Sequence, residues 1–195
     1  MKLKTYLSLL VIATTLGISL ASAETKAKSS SQGPFHIAKS DAEKVLDEIL
    51  RRADKDRNIF DYVLGHPWYD HEKGTGYSHL FTKNLLRTLA KEEAEFVKYS
   101  CDGKYLEGEL CGFDYSPITC AQDFSEQGYI YWTKKDNGHK AIIYYLWSLA
   151  DKTEEFFPGS DITDKNKNFY KLIKDDGHWK LDGVDCGNGA KFNMN

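Results

Sequence analysis

From Ala42 onward apolar residues recur at helical spacing. Ala42, Val45, Leu46, Ile49, Leu50 and Ala53 form one stripe, and Ser40 three residues ahead of Glu43 is a capping box that opens such a helix. The other face, Lys44, Asp47, Glu48, Arg51 and Arg52, reads as a solvated surface. A second stripe of Leu85, Leu86, Leu89, Ala90 and Val97 predicts a helix beginning near Ser78 or Thr82 and ending around Tyr99. Between the two helices, Gly65-His66-Pro67 and Gly74-Thr75-Gly76 punctuate a segment read as a loop, Gly65 to Tyr77.

Beyond Cys101 the pattern shifts to short runs separated by turn residues, with Asn137-Gly138 and Asp176-Gly177 placed where hairpin turns belong. Strands are predicted at Tyr129 to Thr133, His139 to Ala150, Phe169 to Lys174 and His178 to Val184. The run from Ala141 to Trp147 is apolar on both faces, which suits a central strand covered on each side. Trp179 and Leu181 alternate with Lys180 and Asp182, which suits one buried and one wet face. Helices first and a strand meander afterwards predict an α+β domain, the helices packed in the concave face of a curved antiparallel sheet.

The amino terminus changes where this domain is expected to work. Lys2 and Lys4 precede an apolar run from Tyr6 to Leu20 and a small-x-small Ala21-Ser22-Ala23, so residues 1–23 read as a cleavable signal peptide. Residues 24–34 read as a flexible leader and residues 35–195 as one domain; the expected location is the periplasm, without a membrane anchor after cleavage. Removal of the signal leaves 24 basic against 29 acidic residues, a net −5 that disfavours nucleic acid and anionic membranes as partners. In an oxidising compartment Cys101, Cys111, Cys120 and Cys186 read as two disulfides. Three connectivities are open; the expected one joins Cys120 to Cys186 and Cys101 to Cys111.

With these elements in place, the run Phe113-Asp114-Tyr115-Ser116-Pro117-Ile118-Thr119-Cys120-Ala121-Gln122-Asp123-Phe124 resembles the DxDPxxxxQD stretch of the bacterial exported domain-of-unknown-function family 3828. Phe169 to Val184 is similar to that family's closing hairpin, and Phe81-Thr82-Lys83-Asn84-Leu85 to its second helix start. The resemblance implies a nuclear-transport-factor-2-like, cystatin-related cone. It implies no activity, because that superfold hosts enzymes, carriers and binding modules alike. The family's second acid is Ser116 here, which puts a two-carboxylate role for the motif in doubt.

Candidate chemistry is sparse. Asp114 and the Gln122-Asp123 pair suit side-chain-to-backbone turns; the functional alternative makes Asp114 or Asp123 a general base at the mouth of an apolar cone. His66, His71, Glu72 and His79 are the densest set of metal-ligating types. The five-residue step from His66 to His71 within a loop is not the helical spacing of strong zinc motifs, so neither a metal nor another cofactor is expected. His139 and His178 read as turn-edge residues, and Ser148 and Ser160 lack a nucleophile elbow. The same glycine-bracketed loop presents Trp68 and Tyr69, residue types that anchor protein interfaces. The expected function is therefore a noncatalytic exported protein that binds a protein partner, an immunity protein against a periplasmic toxin being one form of it. The expected surface is Trp68, Tyr69 and His71 together with Asp114, Gln122 and Asp123. A small-ligand carrier or pocket enzyme is the alternative, with the ligand in the cone.

Overall fold

The Ser40 side chain accepts the Glu43 N–H while the Glu43 carboxylate receives the Ser40 N–H, so the predicted capping box opens helix α1, Asp41–Lys55. A computed structural model describes residues 35–147, 168–187 and 189–194, all within one compact unit. The expected signal peptide, leader, Ser148 and Ser160 lie outside the described residues. Asp56 ends α1 and caps α2, Arg57–Leu64, which Gly65 closes in the left-handed conformation. Sequence periodicity missed α2. The segment read as a loop holds a one-turn helix α3, His71–Gly74, and a 3-10 helix, Thr75–Leu80. Helix α4, Lys83–Cys101, is capped by Thr82, one of the two predicted starts.

Five antiparallel strands follow in sequential order: β1 Tyr129–Asp136, β2 Lys140–Trp147, β3 Phe169–Asp175, β4 His178–Asp185 and β5 Lys191–Phe192. The first four match the prediction, although the end predicted for β2 at Ala150 lies outside the described residues. The pairings β1–β2 and β3–β4 each carry a bulge, the device that bends a ladder. The domain is thus α+β, with helices packed against one face of the sheet.

That face is filled rather than hollow. Tyr129, Tyr131, Tyr145 and Tyr170 are all buried, neighbouring rings lying 5.2–5.3 Å apart, beneath Leu46, Ile49 and Leu50 of α1. Burial pushes the hydroxyls of Tyr129, Tyr131 and Tyr170 well above their ordinary range, so each remains a donor and must find an acceptor. Helix α1 supplies two of these acceptors. The β1 side chains Tyr129, Tyr131 and Thr133 donate to Asp54, Asp47 and Glu43 at 2.5, 2.8 and 2.6 Å. The face of α1 read as solvated is therefore partly an internal seam: Asp47 is half-buried against the sheet.

Another polar residue is more enclosed than its pattern suggested. Asp182, expected on the wet face of β4, is buried; it accepts the Thr82 hydroxyl at 2.7 Å and pairs with Lys171 at 3.1 Å. The bulge beside it and the returning Asn193, whose side chain donates to the Asp182 carbonyl at 2.6 Å, account for the enclosure.

Candidate functional site

Between Cys101 and Tyr129 the chain has no regular helix or strand, so its backbone groups need partners from elsewhere. Buried tyrosines supply them. The Tyr145 hydroxyl donates to the Thr119 carbonyl and the Tyr170 hydroxyl to the Ile118 carbonyl. The corner between is closed by Ser116, whose side chain accepts the Ile118 and Thr119 N–H groups and whose backbone pairs with Ala121. Ser116, not singled out as a turn residue from the sequence, thus supplies the side chain that closes this turn. Two disulfides, Cys101–Cys111 and Cys120–Cys186, tie the segment to the end of α4 and the end of β4, the pairing expected. They are compatible with an oxidising compartment. No helix among the described residues is long and apolar enough to cross a membrane.

Held this way, the segment faces the α1–α2 junction across a cleft of about 480 Å³. Asp114, Gln122 and Asp123 line it with Ser116 and Thr119, facing Asp54, Lys55 and Arg57. Phe60 and Phe113 contribute apolar surface, and Leu110 and Phe124, 66% and 57% exposed, contribute more. Three of the six predicted surface residues therefore come together. Trp68, Tyr69 and His71 do not line this cleft.

Asp54 was not singled out by sequence reasoning. One carboxylate oxygen accepts the Tyr129 hydroxyl, while the other is buried without a hydrogen-bond partner among the described residues. Burial pushes this carboxyl above its ordinary range; the Tyr129 hydrogen bond and the charges of Arg51 and Lys55 offset only part of that. A signal was available. Glu43, Asp47 and Asp54 fall within a narrow arc of α1 beside its apolar stripe, and Tyr129, Tyr131 and Thr133 place hydroxyls at strand spacing.

The loop residues are organised around His66, which is buried. Its Nδ1 lies 2.9 Å from Asp61 and its Nε2 3.1 Å from Glu93, so both ring nitrogens are engaged by carboxylates. Glu93 also accepts the Tyr105 hydroxyl at 3.1 Å and the Phe113 N–H at 2.9 Å. Trp68, 48% exposed, packs its other side on His66 and Tyr105. Tyr69 turns inward against Tyr62 and fills the space that a side chain at Gly74 would need. His71 is exposed, its ring against Tyr69. Among the described residues, no three His, Cys, Asp or Glu side chains are placed to hold a metal ion. The His66 cluster adjoins the cleft, since Phe60 and Phe113 belong to both.

The buried carboxylates set a pH dependence. Burial raises Glu93 and Glu43, but hydrogen bonds outweigh it: His66, the Phe113 N–H and Tyr105 lower Glu93, and Thr133 with the Lys39 and Ser40 N–H groups lowers Glu43. A carboxyl held low in the folded state stabilises it above the ordinary range near 4.5 and loses that contribution as pH falls through the folded value. Asp54 has the opposite sign, its raised carboxyl favouring the fold at acid pH. Glu93 has three donors and Glu43 four, counting His36, so the melting temperature is expected to fall below pH 4.5 in a pH series. A flat profile from pH 6 to pH 3 would contradict those assignments.

Comparison of the chain with protein-family models, curated proteins and solved structures finds no match. Its chemistry is therefore read from the site itself.

Proposed function

We propose that this chain is an exported binding protein acting in the periplasm, and that it grips a polypeptide partner at the cleft without transforming it. The observation that carries this reading is the rim: Leu110 and Phe124 stand more than half exposed around a hollow with polar walls. Apolar anchors beside a hollow that excludes water are what interface hot spots are made of. Trp68 and Leu106, each about half exposed, extend the apolar surface along the adjoining loop. The helix-then-sheet order supports a nuclear-transport-factor-2-like scaffold, and an immunity protein holding an envelope toxin inactive is one form of the proposal.

Affinity capture from periplasmic extract with the chain from Glu24 onward tests it. A partner retained by the native protein is expected to be lost by a Leu110→Asp, Phe124→Ala variant, a weakening of about 2 kcal/mol or more, with little change in melting temperature. Retention equal for both proteins sinks the proposal.

Asp54 favours a second reading, a carrier or pocket enzyme, because it is the cleft's one carboxyl raised by burial. Asp114 and Asp123, the bases the sequence suggested, are exposed and lack the apolar enclosure that role calls for. A small molecule copurifying in native mass spectrometry, released by Asp54→Asn, would favour this alternative.

A further inference from the structure

We infer that the partner presents a basic segment flanked by apolar residues, and that a lysine or arginine side chain seats in the cleft; this rests on the protein-binding reading above. The distribution of charge carries it. From Asp102 to Glu126 the chain holds six carboxylates, at Asp102, Glu107, Glu109, Asp114, Asp123 and Glu126, against one amine, Lys104. Over residues 24–195 the remaining 23 basic and 23 acidic residues balance, so the domain's net charge resides in this segment. The same segment carries the exposed Leu106, Leu110 and Phe124.

Two of these carboxylates, Asp114 and Asp123, line the cleft together with Asp54, beside the exposed Leu110 and Phe124. An excess of negative charge in the segment that forms one wall raises the local concentration of cationic ligands. Within the cleft, Asp114 and Asp123 are exposed, and Asp54 keeps an oxygen without a hydrogen-bond partner among the described residues. Of the two cations lining it, Arg57 is drawn toward Asp61, its Nε 3.5 Å from that carboxylate, and Lys55 is exposed. A guanidinium or ammonium entering between Asp54 and the Asp114–Asp123 wall would bring its methylene stem against Phe60 and Phe113, a division suited to the two ends of such a side chain. Nucleic acid carries the wrong sign, and a bare metal ion would leave the apolar rim uncovered.

The test uses the chain from Glu24 onward and three labelled synthetic peptides: one alternating leucine with lysine, one alternating leucine with glutamate, one alternating serine with lysine. Fluorescence anisotropy is expected to show the leucine–lysine peptide binding at least about tenfold tighter than either other, and weakening as salt is raised. The Asp114→Asn, Asp123→Asn double variant is expected to lose about tenfold, whereas Asp41→Asn, an exposed acid on α1, loses nothing. An asparagine at position 54 keeps an oxygen to accept the Tyr129 hydroxyl while losing the charge, so Asp54→Asn should weaken peptide binding without lowering the melting temperature.

Equal binding of the lysine and glutamate peptides, or an equal loss in the Asp41 variant, overturns the inference. Its failure is separable from that of the broader reading. A captured partner that depends on Leu110 and Phe124 but ignores Asp114 and Asp123 preserves protein binding and removes only the basic segment.

Discussion

Glu93→Ala is expected to cost about 3–5 kcal/mol of folding stability, the range for stripping one partner from a buried charge pair. Glu93 is 2% exposed and anchors four parts of the chain at once. It sits on α4, holds His66 beyond α2, takes the Tyr105 hydroxyl from the disulfide loop and takes the Phe113 N–H from the cleft wall. Truncation leaves the buried His66 and Phe113 N–H and the half-buried Tyr105 hydroxyl without that acceptor, and leaves Asp61 as the sole carboxylate on His66. At about 2–4 °C per kcal/mol for a domain of this size, the melting temperature should drop by about 10 °C. Gly112→Ala should act in the same direction, since a methyl there would collide with the Glu93 carboxylate and displace a group fixed by three donors. Urea melts of both variants measure this; a loss under about 1 kcal/mol for Glu93→Ala would show that the cluster relaxes freely.

The second large effect is covalent. Cys120→Ala with Cys186→Ala removes a bond between residues separated by 66 positions, and the chain-entropy argument puts its contribution near 4 kcal/mol, against about 3 for the shorter Cys101–Cys111 bridge. The two losses should differ in kind as well. Cys120 lies between Thr119 and Ala121, both of which line the cleft, so opening its bridge should loosen the binding surface along with the whole fold. Opening Cys101–Cys111 releases the end of α4 and the loop carrying Leu106 and Leu110, and leaves the sheet attachment in place. Urea melts of the two double variants separate these effects. A smaller loss for the Cys120–Cys186 pair than for the Cys101–Cys111 pair would reverse the order that loop length predicts.

Much of the scaffold could be read from local pattern. The Ser40–Glu43 capping box, the stripe of α1, the Thr82 start of α4, four strands and both hairpin turns all follow from residues close together in the chain. Periodicity and turn chemistry act over that range. Helix α2 escaped because it is only eight residues long and begins in the polar run Lys55-Asp56-Arg57-Asn58, with Asp56 serving as the end of one helix and the cap of the next.

The site was half legible. Asp114, Gln122 and Asp123 were recognised as a unit because they are close in sequence, and the fold gathers them into one cleft. Asp54, His66 and Glu93 were not placed, because what defines each is a partner far along the chain: 75 residues from Asp54 to Tyr129 and 27 from His66 to Glu93. A polar residue on a helix surface has the same local signature whether it faces water or a buried hydroxyl. By itself, then, the sequence determined α1, α4 and four of the five strands, each set by short-range geometry, and narrowed the cysteine pairing to an expected one. Only the tertiary structure decided which carboxylates are enclosed, because burial and hydrogen-bond satisfaction depend on what the rest of the chain brings against them.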